Sequence, residues 1–556
     1  MGTAIGIVPI FLHVIRKKLY FCGHKKTTLT MKRILLLTTM MVMTVAGWAA
    51  VWGDVDGNGT VDVADVNAVI NAMLGKTAAT QLTTSDVTGD GAVDVADVNM
   101  VINIMLGKAV QPQPELTGYD YVWDTTVLPE IHITVSLAEW NRLLQLYDDD
   151  PTTGEYIMAD RFDFVQRGDT TSVADGGVRI KGNTSRRRPE GDRGQMHQAG
   201  QTDWHHFHLG INLRKFYKDE EHTLQGVRKL HLKWFKDDAA YVRELFCFDL
   251  FRRAGVWTAP RSHYCRLWLK VAGDPAETYY GIYEMNEPID ENYLKQRNDS
   301  LHFGSHQGNL WKCKYVGKPA SLTDPNNADY WYDDDTSGDH TYTLQTNTKR
   351  FDAAKAQLID FQLKLNGKGR ESFYTWINQV CDVDLLLRTY AVSVAVGMWD
   401  DYWNNGNNYY LYFTTEDLLD YRVYLLPYDY DNSLGTSLQC GAQNDAGRQN
   451  PLQWGQDGNP LIRRLLEYDD FKAKYLQYLR ELVDPDSDMM HYLDARERIE
   501  AWHSMIAPYV ANDTGEDMEI IDQPAWWGNH REYRLLDPDP NVNFFRVKAA
   551  SIAAAH

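Results

Sequence analysis

The chain has 556 residues, of which 44% are hydrophobic, and a formal net charge of −20 at pH 7. Its length and apolar content allow two to four domains with a substantial core. The acidic excess argues against nucleic acid or an anionic membrane as the main partner, because both attract Lys and Arg. Six cysteines without Cys-x-x-Cys spacing do not indicate a disulfide-based fold.

An export signal is predicted over residues 31–50. Met31 begins a basic start, which is followed by an apolar run and ends in the small residues Ala49 and Ala50. The apolar run is too short for a stable membrane span, so we expect an exported protein. Residues 1–30 are interpreted as an upstream extension. A second apolar run, Ile5–Ile15, leaves a membrane-anchored alternative open.

Residues 54–107 contain a repeated loop-plus-helix unit. D-V-D-G-N-G-T-V-D-V-A-D recurs as D-V-T-G-D-G-A-V-D-V-A-D, and each copy has the oxygen spacing and turn glycine of an EF-hand calcium loop. The predicted Ca²⁺ ligands are Asp54, Asp56, Asn58, Thr60, Asp62 and Asp65 in the first loop, and Asp86, Thr88, Asp90, Ala92, Asp94 and Asp97 in the second. Because Thr88 replaces an acid or amide, we expect weaker binding by the second loop.

This duplicated unit resembles a type I dockerin, which would occupy residues 51–108. The resemblance implies a small all-α calcium-binding domain that binds a cohesin module on a scaffold or cell-surface protein. A calcium-clamped spacer is the alternative. Apolar residues follow one face of each helix: Val66, Val69, Ile70 and Met73, then Val98, Val101, Ile102 and Met105. Residues 109–126 are predicted to be a linker, Pro-rich at its centre.

A second domain is predicted over residues 127–445, with a helical C-terminal part at 446–556. Four short motifs stand in its first half. They are G-G-V-R-I-K-G-N-T-S-R-R-R at 176–188, K-L-H-L-K-W-F-K-D-D-A-A-Y-V-R at 229–243, G-I-Y-E-M-N-E-P-I-D at 281–290 and N-L-W-K-C-K at 309–314. In the first motif, small residues would let the backbone approach an anion and the arginines would clamp phosphates. An ordinary turn is the alternative.

Two further segments lead to the most distinctive part of the chain. Residues 317–350 are polar and are interpreted as an exposed excursion or lid. Asp384–Val396 is apolar nearly all round, which predicts a buried helix capped by Asp384.

Residues 399–435 predict a hairpin with acids and amides at both ends. Tyr409–Phe413 and Tyr421–Leu426 are the two strand candidates. Asp400, Asp401, Asn405 and Asn408 precede or begin the hairpin, and Asp429 and Asp431 follow it. Acids so close to apolar strands need a partner, and a divalent cation is the simplest one.

An Asp, an Asn, a hairpin and a second Asp follow the order used by protein-kinase-like phosphotransferases. The stretches W-D-D-Y-W-N-N-G-N-N-Y-Y-L-Y and P-Y-D-Y-D-N-S-L-G, with the four earlier motifs, resemble the spore-coat CotH kinase family. The resemblance implies an α+β, two-lobed, protein-kinase-like domain that binds ATP and Mg²⁺ between its lobes. It also implies a protein Ser as the acceptor.

The resemblance assigns a role to individual residues. Asp400, with Asp401 a close second, would be the base. The Mg²⁺ ligands would be Asp429 with Asp431, Asn405 or Asn408, and the residues near the nucleotide would be Arg179, Asn183, Lys233, Arg243, Glu287 and Lys312. Glu284 is the alternative to Glu287, and Lys233 reads equally well as a solvated strand lysine. The family's Lys pair is not found in residues 204–216.

Two rival functions remain open from the sequence. The missing Lys pair favours an inactive, kinase-like adhesin or structural module in a cellulosome-like assembly. A dockerin also accompanies polysaccharide-degrading enzymes, although no acid pair here has a spacing that singles out a glycosidase.

Overall fold

The computed structural model describes residues 53–58, 60–76, 82–88, 92–106, 108, 116–183, 185–333, 340–436, 445–455, 459–525 and 533–555. The predicted upstream extension and export signal, and the calcium ligand Asp90, lie outside these ranges. The chain divides into two compact units, residues 1–115 and residues 116–556.

The first unit contains the helices Val63–Met73, Leu82–Ser85 and Val95–Met105. Asp62 and Asp94 cap the two long helices by accepting bonds from the backbone of Ala64 and Ala96. Val55, Val69, Val87 and Val101 form its small core. The apolar face predicted for each helix is therefore divided. Ile70 and Met73 are each 38% exposed, as is Ile102, and Met105 is 39% exposed.

A closed seven-stranded barrel begins the second unit. Its strands are β1 (Glu130–Val135), β2 (Ile157–Gln166), β3 (Asp169–Lys181), β4 (His208–Asn212), β5 (Lys229–Lys233), β6 (Ser262–Val271) and β7 (Thr278–Asn286), in the order β1-β2-β3-β4-β5-β7-β6. A parallel pairing of β1 with β6 closes the barrel, where Glu130 lies opposite Arg266. Alternate residues such as Val178, Ile180, Leu230 and Leu232 fill its interior.

In β3 and β5, the residues between the inward-facing positions point outwards from the barrel. Arg179 and Lys181 of β3 and His231 and Lys233 of β5 therefore lie on the outer face of the barrel. This outer face therefore carries several ionisable side chains.

A second sheet has five strands in the order β12-β11-β8-β10-β9. The strands are β8 (Asn309–Cys313), β9 (Tyr330–Tyr332), β10 (Tyr342–Leu344), β11 (Tyr409–Phe413) and β12 (Val423–Pro427). The predicted hairpin is confirmed as β11 and β12, although its second strand lies slightly later in the chain. The prediction for residues 317–350 is wrong in part, because β9 and β10 lie there and Leu322 and Tyr342 are buried.

The other regular elements of the second unit are helices. They are Gly118–Val122, Leu137–Asp149, Arg243–Arg253, Glu291–Gln296, Phe351–Gly367, Arg370–Val380, Val383–Ala395, Tyr402–Asn405, Pro460–Leu465, Asp469–Val483, Tyr492–Ile506 and Phe544–Ala553, with 3₁₀ turns at Pro325–Asn327, Thr348–Arg350, Pro451–Gln453 and Ala507–Tyr509. The buried helix before the hairpin is confirmed as Val383–Ala395. Its cap is Asp382, not Asp384, which instead accepts bonds from Arg388 and Lys474 on the surface.

Sheets and helices together give an α+β fold. Cys247, Cys265, Cys313 and Cys381 are buried free thiols. Across the described ranges, no helix has both the length and the apolar character to cross a membrane.

Candidate functional site

Left-handed backbone marks both ends of the β11–β12 hairpin. Asn408, directly before β11, has φ 49°, and Asp429, two residues after β12, has φ 62°. Asn and Asp tolerate this conformation better than most residues. Asp429 therefore departs from the extended backbone of the strand before it. Asp429 and Asp431 nevertheless both reach one lysine.

That lysine is Lys233, at the end of β5. Its ammonium donates to Glu244, to Asp429 Oδ1 at 2.6 Å and to Asp431 Oδ2 at 3.3 Å. One carboxylate oxygen from each of the three acids lies within 4.8 Å of the others. We call Glu244, Asp429 and Asp431 the acid triad. Since oxygen atoms are the ligands that Mg²⁺ prefers, this donor set fits a divalent cation.

The carboxyl groups of the acid triad differ in how readily they ionise. Burial raises the pKa of Asp431 in spite of Lys233. Burial acts in the same direction on Asp429, but the nearby charges of Lys233 and Lys181 hold the pKa of Asp429 below its usual range. Asp429 is therefore the more firmly ionised of the two aspartates at neutral pH.

Glu244 is fixed by the helix Arg243–Arg253. Besides Lys233, it accepts a bond from the Tyr430 backbone at 3.1 Å and from the Asn286 amide at 3.3 Å. Tyr430 lies between Asp429 and Asp431 in the chain, and its ring packs on Phe251 with centroids 4.9 Å apart. Its hydroxyl lies 2.7 Å from Ser393 Oγ. The helix and the buried tyrosine thus hold the segment that carries both aspartates.

Two more lysines lie beside the acid triad. Lys181 donates to the Tyr428 hydroxyl at 3.2 Å, and the Lys312 ammonium lies 5.4 Å from the centre of the same ring. Burial lowers the pKa of Lys181 to about 7, and the positive charges of Lys312 and Lys233 act in the same direction. Lys181, Lys233 and Lys312 are therefore three cations around one tyrosine and two aspartates, an arrangement that suits an anion with several oxygens.

Asp400 is held by amides of the loop that follows it. Its Oδ1 accepts from Asn405 at 2.7 Å and from Asn407 at 3.0 Å, and its Oδ2 accepts from Asn408 at 3.1 Å. Burial raises the pKa of Asp400 and the charge of Asp429 adds to the rise, while the amides oppose it. A carboxylate with a raised pKa, electrostatically coupled to the acid triad, has the character of a general base.

Asp401 has a different position from its neighbour. It caps the short helix Tyr402–Asn405 by accepting from the Asn404 backbone at 3.1 Å, and it is only 3% exposed. Burial raises its pKa to about 7. Its contacts support the loop, whereas those of Asp400 face the amides next to β11.

Two predicted residues lie in other networks. Glu287 does not pair with a lysine: Arg297 donates to both of its oxygens, at 2.9 and 2.8 Å, and Tyr119 donates to one at 2.6 Å. Arg243 is fully buried and pairs with Asp238. Both ion pairs form because these side chains are buried and need a local partner of opposite charge.

The Gly-Asn-Thr-Ser loop after β3 also differs from the expectation. Its arginines do not form a phosphate clamp: Arg186 donates to backbone carbonyls such as Thr153 O at 2.7 Å, Arg187 to Glu516 at 2.7 Å and Arg188 to Asp148 at 2.9 Å. Asn183 is exposed, and its carbonyl accepts from Arg186. Arg179 remains on the face of Lys181, with its guanidinium 5.2 Å from the centre of the Tyr156 ring.

Sequence reasoning missed Glu244 and Lys181. Glu244 directly follows Arg243, and Lys181 lies two residues after Arg179. In each case the sequence motif was assigned to the neighbouring arginine. Alternation along β3 was the available signal for Lys181, because it puts Lys181 and Arg179 on the same face. Glu244 gave no comparable signal, since only the fold brings its helix to Lys233.

The first calcium loop forms a cluster of acids. Asp54, Asp56 and Asp65 each have a carboxylate oxygen within 4.8 Å of the others. Asp65 accepts from Val55, Asp56 and Asp62 backbone groups at 2.7, 3.0 and 2.8 Å. Asn58 accepts from the Thr60 backbone at 2.9 Å. The donor set is all oxygen and fits Ca²⁺.

In the described part of the second loop, the hydrogen bonds to Asp97 repeat those to Asp65, with a weaker metal ligand at Thr88. Asp97 accepts from the Thr88 backbone at 2.9 Å and from its hydroxyl at 3.0 Å, and Asp94 donates its backbone N–H to Asp97 at 2.9 Å. Thr88 occupies the position of Asp56. A hydroxyl thus stands where the first loop has a carboxylate.

Comparison with protein-family models gives two matches. The model described as CotH kinase protein matches residues 178–533, and the model described as Dockerin type I domain matches residues 52–106. The first match covers the acid triad, the three lysines and Asp400. The second covers both calcium loops. The comparison with curated proteins gives no match.

Proposed function

Because the chain belongs to the CotH kinase family and carries a type I dockerin domain, we propose that it is an exported atypical kinase. It transfers the γ-phosphoryl group of ATP to a protein hydroxyl, that of a Ser. The dockerin, through bound Ca²⁺, tethers it to a cohesin module of a scaffold or surface protein. The proposed domains are the dockerin at 51–108, a linker at 109–126, and a kinase-like domain at 127–445 with its helical part at 446–556.

One observation carries the catalytic part of this proposal. Lys233 joins Asp429, Asp431 and Glu244, and Asp400 with its three amides is electrostatically coupled to Asp429. A metal-binding aspartate, a phosphate-binding lysine and a separate acid of raised pKa are the parts that phosphoryl transfer requires. The barrel face with Lys233 and the sheet with Lys312 would be the two sides of a nucleotide cleft.

Each residue then has a distinct task. Asp400 accepts the proton of the acceptor hydroxyl, and the amides of Asn405, Asn407 and Asn408 orient it. Asp429 and Asp431 hold Mg²⁺, with Asn408 or Asn405 as a further oxygen donor. Lys181, Lys233 and Lys312 bind phosphate oxygens, and Arg179 extends this row along β3. When bound, ATP with Mg²⁺ supplies the phosphoryl group and the charge that offsets its oxygens.

Label transfer from γ-phosphate-labelled ATP tests the proposal. The full chain with Mg²⁺ and dephosphorylated casein should label the casein, and Asp429→Asn should reduce the rate by about 10²- to 10³-fold, as expected for loss of electrostatic stabilisation. Asn suits the left-handed backbone at this position. Asp420→Asn, an exposed acid of the hairpin turn, is the matched control and should keep the full rate.

Two other outcomes would contradict the kinase. Ligand capture without any label transfer, indifferent to Asp429→Asn, would support the adhesin. Release of sugar from a polysaccharide without nucleotide would support a hydrolase. Calcium-dependent binding to an isolated cohesin, lost on chelation, tests the tether separately.

A further inference from the structure

The Lys233 ammonium occupies the middle of the acid triad. It has three N–H donors, and each is directed to one of the three carboxylates, with Asp429 Oδ1 at 2.6 Å and Asp431 Oδ2 at 3.3 Å. The side chain of Lys233 is only 11% exposed. The ammonium therefore uses the same set of oxygens that a divalent cation would use.

An ammonium and a divalent cation cannot share these oxygens. Both are positive, and at this separation and burial their repulsion is poorly screened. For a cation to bind Asp429 and Asp431, the Lys233 ammonium has to leave those two acids. Glu244 is the acid it would keep, because the Tyr430 backbone holds Glu244 Oε1 and the Asn286 amide donates to Oε2, the oxygen that Lys233 contacts.

The Lys233 ammonium can leave Asp429 and Asp431 only if another anion accepts its hydrogen bonds. Lys181 and Lys312 both lie beside Tyr428, the residue before Asp429, and add to the positive charge around Asp429. A phosphate group bound by these two lysines would offer Lys233 fresh oxygen acceptors. Phosphate would thus draw the ammonium away and free the acid triad for the cation.

We propose that Lys233 is an internal placeholder for the divalent cation, so that cation and phosphate bind cooperatively and the protein without phosphate binds the cation weakly. This inference rests on the proposed function and adds an order to it. The cation enters with the phosphate, not before it. Reciprocity follows, because each ligand must raise the affinity of the other by the same factor.

Calorimetric titration of the full chain with Mg²⁺, without nucleotide, tests the placeholder. Lys233→Met should raise the Mg²⁺ affinity at least tenfold over the natural chain. Lys181→Met removes a neighbouring lysine that contacts no acid of the triad, and should raise the Mg²⁺ affinity by no more than about threefold. Each titration is repeated with Asp429→Asn added, so that the heat from the calcium loops can be subtracted.

Thermal melting gives a second readout. Mg²⁺ should raise the melting temperature of Lys233→Met well above its effect on the natural chain, since the cation replaces the lost ammonium. If Lys233→Met needs Mg²⁺ in order to fold, that dependence supports the placeholder too. Equal Mg²⁺ affinity in Lys233→Met, Lys181→Met and the natural chain would overturn it.

If Lys233→Met does not fold at any Mg²⁺ concentration, a titration of the natural chain tests the proposal instead. Sulfate serves as a phosphate probe that binds Mg²⁺ only weakly, and it should raise the Mg²⁺ affinity of the natural chain several-fold. An unchanged affinity in sulfate would overturn the inference. These titrations involve no transfer step. A chain that shows the placeholder without labelling casein would therefore contradict only the proposed kinase activity.

Discussion

At the scale of single residues, the burial of Asp401 makes the stability of the fold depend on pH. Burial raises the pKa of Asp401 to about 7 in the folded state, above its value in the unfolded chain. The stability that Asp401 contributes is therefore fully present below about pH 4 and is lost as the pH rises through about 7.

Asp401→Asn should remove this dependence, because Asn keeps the cap acceptor and cannot ionise. At pH 8 the variant should have the higher free energy of unfolding, and at pH 4 it should have no advantage. The slope of unfolding free energy against pH should differ between the two proteins by at most about 1.4 kcal/mol per pH unit. Urea denaturation from pH 4 to 8 measures it.

A matched control exists for this experiment. Asp382 caps the helix Val383–Ala395 in the same manner, but it is only half-buried. Asp382→Asn makes the same substitution at another helix cap and is the control for the loss of a capping charge. Parallel slopes in the natural chain and in Asp401→Asn would contradict the prediction.

The ion pair of Arg243 with Asp238 gives a second prediction at this scale. Removing one partner of a buried pair leaves an unpaired charge, so Arg243→Met should lower the free energy of unfolding by about 3–5 kcal/mol. The nucleotide affinity of the folded protein should not change, because Arg243 contacts Asp238 and not the acid triad. Denaturation and a nucleotide titration separate the two effects.

Arg253, in the last turn of the same helix, is the control. It is exposed and pairs with Asp249 at 2.7 Å, so Arg253→Met should cost no more than about 1 kcal/mol. A loss of nucleotide affinity in Arg243→Met without loss of stability would instead support the original prediction that Arg243 contacts the nucleotide.

At the scale of elements, the second calcium loop has Thr88 where the first loop has the carboxylate of Asp56. Thr88→Asp gives the second loop the carboxylate that Asp56 supplies in the first, and calcium affinity rises with the number of charged ligands. We expect about a tenfold gain for the second loop by calcium titration. The reciprocal change, Asp56→Thr, should weaken the first loop by a similar factor, and no change in either variant would contradict the ligand assignment.

Short-range patterns predicted elements well and contacts less well. The aromatic and aliphatic run Tyr409–Phe413 predicted β11, and the apolar run before it predicted a buried helix. The cap of that helix was misplaced from Asp382 to Asp384 because two acids stand close together and only geometry shows which one accepts the backbone bond.

Distant contacts were beyond such patterns. Lys233 was a candidate on its own strand, but nothing local to it indicates Asp429, Asp431 and Glu244 as its partners. Glu287 matched the Glu of the family pattern, with Glu284 as the alternative. Its pairing with Arg297 depends on burial that only the folded chain defines. The closure of the barrel between β1 and β6 is non-local in the same way.

At the scale of the whole molecule, the two compact units should melt separately. The described residues of the first unit include acids of the calcium loops and a small valine core, whereas residues 116–556 have a large core of their own. Calcium binds the folded loops, so it stabilises that unit by mass action. In differential scanning calorimetry, Ca²⁺ should raise one transition and leave the other in place.

Chelation should reverse this shift and leave the second transition unaffected. Asp65→Asn, which removes the buried charge of the first loop, should reduce the response to Ca²⁺. A single transition that moves as a whole with Ca²⁺ would show that the units unfold together.

The four buried thiols set the conditions under which the large unit can mature. No covalent bridge joins Cys247, Cys265, Cys313 and Cys381, so apolar packing and ion pairs hold that unit together. For these four cysteines, folding needs neither an oxidant nor a disulfide isomerase. Reductants such as dithiothreitol should therefore leave the stability contributed by this core unchanged.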